Sequence, residues 1–95
     1  MFKNFRFYRI ERWMLEELEF KTLIQATIFA IIYGFKNHTY VGSRHYLAML
    51  TLCDVRTVDR ALKYLVTNGY LEKIIIKRPF KSYRGYKTVI IQTNP

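Results

Sequence analysis

The sequence of 95 residues holds one cysteine, two prolines and four glycines, and beyond Glu72 it holds no acidic residue. A lone thiol, Cys53, excludes a disulfide-stapled scaffold. So few prolines and glycines, beside 51% hydrophobic and 17% aromatic residues, exclude a disordered tail or a low-complexity linker. Long apolar runs are also missing. The longest uncharged stretch, 22–35, is 14 residues, short of the ~20 that cross a bilayer. The first residues, Met1-Phe2-Lys3-Asn4-Phe5-Arg6, place charge before any apolar segment and offer no small-residue cleavage site, so no signal peptide is expected. A single free thiol without an export signal predicts a cytoplasmic location.

What is present is positive charge, unevenly spread. Sixteen Lys and Arg oppose seven Asp and Glu, for a net charge of +9 and an isoelectric point near 9.9. Residues 1–55 carry seven cations against five acids, and residues 56–95 carry nine against two, Asp59 and Glu72. A merely solvated surface mixes the two signs, so the concentration in the last 40 residues predicts a polyanionic partner. The length suits a single domain, 1–95, able to bury roughly 65% of its unfolded surface.

Residues 5–10 alternate loosely and predict a short strand within an N-terminal arm, 1–10. Residues 11–20, with Trp13, Met14 and Leu18 among good helix formers, predict a short helix. Residues 21–35 are apolar on most of a helical circumference (Leu23, Ile24, Ala26, Ile28, Phe29, Ile31, Ile32), the pattern of a helix at the centre of a small core. Residues 36–42 read as a loop. Ser43 is a good N-cap for a helix over 44–52, and Asp54 for one over 55–68, with Gly69 where a left-handed residue is wanted. Two helices joined by so tight a turn form a helix-turn-helix. Residues 70–78, with Ile74-Ile75-Ile76, and 86–93, with Val89-Ile90-Ile91, predict two strands joined by a loop over 79–85. The result is an α+β fold: helices over 11–69 and a two-stranded hairpin over 70–95. Helix, helix-turn-helix and hairpin is the element order of a winged helix.

The stretch Tyr46-Leu47-Ala48, then Asp54-Val55-Arg56-Thr57-Val58-Asp59-Arg60-Ala61-Leu62-Lys63-Tyr64-Leu65, then Asn68-Gly69-Tyr70-Leu71 resembles the winged helix-turn-helix pattern of bacterial DNA-binding domains. Arg12-Trp13-Met14-Leu15-Glu16-Glu17-Leu18, followed by Ile28-Phe29-Ala30-Ile31-Ile32-Tyr33-Gly34-Phe35, is similar to a narrower set. These are the N-terminal domains of phage and plasmid replication-initiation (replisome-organiser) proteins of Gram-positive bacteria. The resemblance spans about residues 8 to 76 and implies duplex DNA binding in replication initiation or transcription control of a mobile element. Two positions depart from the pattern. Asp54 stands where Ser is usual, which preserves a cap but places negative charge near a would-be phosphate. Leu52 stands where Gly is frequent, and is expected to widen the turn or enter the core. Such replication proteins commonly carry a further C-terminal domain, whose role this chain, ending at Pro95, is not expected to fill.

At ~100° per residue, Val58, Ala61, Leu62 and Leu65 share one helical face. Arg56, Arg60, Lys63 and Thr67 share the opposite stripe, with Thr57 and Tyr64 at its border. An Arg fork matches guanine O6 and N7, while Lys suits phosphate. Arg56 and Arg60 are therefore expected on base edges and Thr57 on a base or phosphate, with Lys63 and Tyr64 nearer the backbone. The recognition helix is thus 55–68, and the basic wing 73–87. On that wing Lys77, Arg78, Lys81 and Arg84 are expected at flanking phosphates or the minor groove. Arg44, opening the preceding helix, is expected at a backbone phosphate. Phe80, Tyr83 and Tyr86 read as cross-strand packing.

Other chemistry finds little support. His38, His45 and Cys53 lack metal-ligand spacing, no phosphate-cradling loop or activated nucleophile occurs, and Glu16, Glu17 and Glu19 read as a surface ion network. No cofactor, no metal and no enzymatic activity is expected. The alternative function is a protein-interaction module that uses the same fold as a scaffold. Its motivation is the aromatic arm Phe2, Phe5, Phe7 and Tyr8, which suits pairing with another chain. A membrane-surface role fits less well, because the cations do not lie opposite an apolar helix face. A homodimer would require two half-sites about one helical turn apart.

Overall fold

A computed structural model describes residues 9–90. The N-terminal arm 1–10 lies almost wholly outside the described residues, as does the expected strand beyond residue 90. The architecture is α+β, with four helices and a three-stranded antiparallel sheet. In chain order these are α1 (Arg12–Glu17), α2 (Leu23–Gly34), a 3₁₀ turn (Lys36–His38), β1 (Thr39–Val41), α3 (Arg44–Thr51), α4 (Val55–Thr67), β2 (Leu71–Arg78) and β3 (Lys81–Thr88). No helix among the described residues is long and apolar enough to cross a membrane.

Three helices begin on side-chain caps. Thr22 accepts from the Gln25 amide at 3.3 Å, while Gln25 Oε1 accepts from the Lys21 amide at 2.7 Å. Ser43 caps α3 through the Tyr46 amide at 3.1 Å, and Asp54 caps α4 through the Thr57 amide at 2.8 Å. Each cap satisfies a donor that the helix cannot, worth ~1 kcal/mol. Burial contributes more. Ile28, Phe29, Ile31 and Ile32 are fully inaccessible in α2, and each such side chain contributes ~1.5–3 kcal/mol. α2 is therefore the axle on which the other helices and the sheet pack, as its all-round apolar circumference predicts. Leu47 of α3, Val58 and Leu65 of α4 and Leu71 of β2 complete the same core.

The structure corrects three sequence expectations and removes one of the two alternatives for Leu52. The first helix does not run to residue 20 but stops at Glu17. The Glu19 amide donates to the Tyr70 hydroxyl and the Glu19 carbonyl accepts from the Tyr64 hydroxyl, each at 2.8 Å. These long-range partners hold the backbone where helical bonds would otherwise form. Residues 36–42 are not all loop. Asn37 and His38 take positive φ, 58° and 53°, the chain reverses, and Thr39–Val41 pairs with β3, so the sheet has three strands rather than two. The connection over 79–85 shrinks to Pro79 and Phe80, since Arg78 already pairs with Lys81. The last strand correspondingly begins at Lys81 and ends at Thr88, and the part expected over 91–93 lies outside the described residues. Leu52 does not enter the core. It takes the left-handed conformation that a Gly would adopt there (φ 58°) and remains 85% exposed.

Gly85 makes the third strand possible. A Cβ on it would stand 2.1 Å from the Tyr40 carbonyl oxygen, inside any tolerable contact. Only a residue without a side chain lets β1 approach β3 here.

Candidate nucleic-acid interface

The buried side chains of α4 fix its rotation. Val58, Ala61, Leu62 and Leu65 are all core residues, so Arg56, Arg60, Lys63 and Thr67 are exposed on the far side. Two border residues already have partners. The Thr57 amide belongs to the Asp54 carboxylate. The Tyr64 hydroxyl donates to Glu19. Asp54 is held below the usual carboxylate range, chiefly by the hydrogen bonds from Thr57 and also by Arg56 and Arg60. An anion at the start of α4 thus stays ionised beside the two arginines expected at base edges, and complements the helix dipole.

Three adjoining concavities link α4 to the sheet. Arg60, Lys63, Tyr64 and Thr67 line the first. Lys63 and Thr67 also wall the second, together with Arg44, Asp59, Lys73 and Tyr86. Arg44, Lys73 and Tyr86 continue into the third, where Arg84 and His45 join them. Shared walls make one continuous surface, from the outer stripe of α4 across the start of α3 to the face of the hairpin.

Register decides which hairpin cations belong to it. Leu71 pairs with Thr88, Lys73 with Tyr86, Ile75 with Arg84 and Lys77 with Ser82. Partners across a ladder share a face, and alternate residues share it along each strand. Leu71 and Thr88 are buried under the helices. Lys73, Lys77 and Arg84 therefore lie on the helix-facing side. Arg78 and Lys81 fall on the opposite side, where the Lys81 ammonium sits 5.3 Å from the Tyr83 ring centre. Of the four wing cations named from sequence, Arg84 joins the surface, Lys77 shares its sheet face farther along the hairpin, and Arg78 and Lys81 fall on the other face.

Arg44 is not a free cation. Its Nη1 donates to Asp59 Oδ2 at 2.7 Å, tying the first turn of α3 to α4. Tyr86 lies beside this pair. Burial raises its phenol, Arg44 opposes that shift and Asp59 adds to it. Lys73, His45 and Tyr86 escaped the sequence reading as site residues. A signal for Lys73 was available, since it stands two residues from buried Leu71 and shares its face. His45 and Tyr86 join only through tertiary packing.

No protein-family model, no curated protein and no solved structure matches the chain.

Proposed function

We propose that this chain is a winged helix-turn-helix domain that binds double-stranded DNA. In this reading α4 is the recognition helix, β2 and β3 form the wing, and the DNA belongs to replication initiation or transcription control of a mobile element. The observation that carries the reading is the continuous cationic surface in which Lys63 of α4 shares one concavity with Arg44 of α3 and Lys73 of β2. A rigid helix, held by a buried stripe and presenting Arg56, Arg60 and Lys63 outward, suits insertion into a major groove. The sheet cations beside it suit the flanking phosphates. The sequence pattern over α3 and α4 supports the same assignment.

The test is fluorescence anisotropy on a site recovered by in-vitro selection. Arg60→Ala is expected to cost ~1–3 kcal/mol on the selected site and to relax its sequence preference. Arg84→Ala is expected to weaken all duplexes alike and to reduce the salt slope by about one unit. Unchanged affinity in both variants overturns the proposal.

A further inference from the structure

The third concavity, about 480 Å³, lies off the outer stripe of α4. Arg44 at the start of α3, Lys73 on β2 and Arg84 on β3 converge on it, and Tyr86 of β3 and His45 of α3 complete its lining. Tyr86 pairs with Lys73, and Arg84 lies two residues along the same strand. Lys73 and Arg84 are thus diagonal neighbours on one sheet face, a relation that sets their backbones ~7–8 Å apart. Like charges so placed repel, and neither has a carboxylate partner among the described residues. Glu72, adjacent to Lys73 in sequence, falls on the other face of the sheet.

The charge at the cavity selects the ligand. Arg44 is already offset by Asp59 at 2.7 Å. That leaves Lys73 and Arg84, two positive charges with no carboxylate partner among the described residues, facing one recess. A backbone phosphodiester brings a single negative charge, whereas a phosphomonoester at neutral pH brings nearly two, with three strong acceptor oxygens. An Arg fork and a Lys point charge from two strands match such a group.

We propose that this cavity is a binding site for a phosphomonoester dianion, with Lys73 and Arg84 as its principal ligands and Arg44 in its wall. The dianion has two sources, the terminal phosphate of a nucleic-acid strand or a free mononucleotide. The site is separate from the outer stripe of α4. It shares Arg44 and Lys73 with the proposed duplex surface, so inorganic phosphate, which cannot report duplex binding, is the ligand that tests it by itself.

The experiment is an NMR titration of the full chain at constant ionic strength. The ligands are inorganic phosphate, adenosine monophosphate, and one blunt duplex carrying either a 5′-phosphate or a 5′-hydroxyl. Saturable shifts on inorganic phosphate are expected at Arg44, His45, Lys73, Arg84 and Tyr86. Lys73→Ala is expected to weaken phosphate binding about tenfold, the loss of one charge-assisted contact, and Lys36→Ala, an equal change in net charge on the remote 3₁₀ turn, to leave it unchanged. Should Lys73→Ala not fold, Arg84→Gln replaces it with the same expectation. Preference for the 5′-phosphate duplex over its hydroxyl twin assigns the strand end as the source. Equal duplex affinities, with saturation of the same signals by the mononucleotide, assign the free nucleotide. The absence of saturable shifts on both phosphate and nucleotide, or equal weakening by Lys36→Ala and Lys73→Ala, overturns the site.

Discussion

Arg44 and Asp59 meet at 2.7 Å across the angle between α3 and α4, and their contact places the only acid of α4 in the middle of a basic surface. Both side chains are about half exposed, 51% and 40%, so the pair contributes no more than ~1 kcal/mol to stability. Its larger effect is electrostatic, since Asp59 neutralises the cation that bridges the helix and sheet portions of the surface.

Asp59→Asn is therefore expected to leave thermal stability almost unchanged and to raise affinity for duplex DNA several-fold at low salt. The gain should shrink at higher salt. Anisotropy titrations at two salt concentrations check this. A loss of affinity would instead mean that Asp59 holds Arg44 in its DNA-contacting pose.

Gly85→Ala is expected to cost at least ~1–3 kcal/mol, because the atom it strikes, the Tyr40 carbonyl oxygen 2.1 Å away, is backbone and cannot rotate aside. Urea denaturation measures the loss. Hydrogen exchange at Thr39–Val41 should accelerate first, since β1 is the strand displaced.

Leu52→Gly is expected to stabilise. Leu52 has a left-handed φ of 58° and is 85% exposed, so the substitution relieves ~1 kcal/mol of backbone strain while removing little packing. The higher denatured-state entropy of Gly offsets part of that gain. A rise of a few degrees in Tm is expected, and a fall would show that the exposed leucine packs on something essential.

Tyr40 predicts an alkaline limit. Burial, and to a lesser degree Tyr46, raises its phenol from 10.0 to about 12, while its hydroxyl donates to the Ser43 carbonyl at 2.6 Å. The folded state thus holds this proton more tightly than the unfolded chain. That contribution is complete below pH 10 and is lost as pH rises toward 12, by no more than ~3 kcal/mol. Denaturation between pH 9 and pH 12 should show the decline, and Tyr40→Phe should flatten it at some cost in stability at neutral pH.

Much of the helical part was legible because its determinants are local. Ser43 and Asp54 cap helices through amides three residues on. The period of Val58, Ala61, Leu62 and Leu65 fixes one buried face whatever lies against it. Gly69 takes its positive φ, 80°, where the pattern of α4 runs out. Reading failed where a distant partner decides. Glu17 ends α1 because Tyr64 and Tyr70 claim the backbone of Glu19. Three residues of β1 are too few to show a period, and become a strand only because Gly85 admits them.

The amino-acid order by itself determined three helices, their caps, the apolar circumference of α2 and the accumulation of positive charge beyond Val55, since each depends on residues a turn or two apart or on composition. Tertiary structure decided the third strand, the turning of Arg78 and Lys81 to one side of the hairpin and of Lys73, Lys77 and Arg84 to the other, and the commitment of Arg44 to Asp59. Those outcomes depend on strand register and on contacts between residues 15 to 48 positions apart. Long-range pairing of that kind forms only when the packed core has already brought distant segments together.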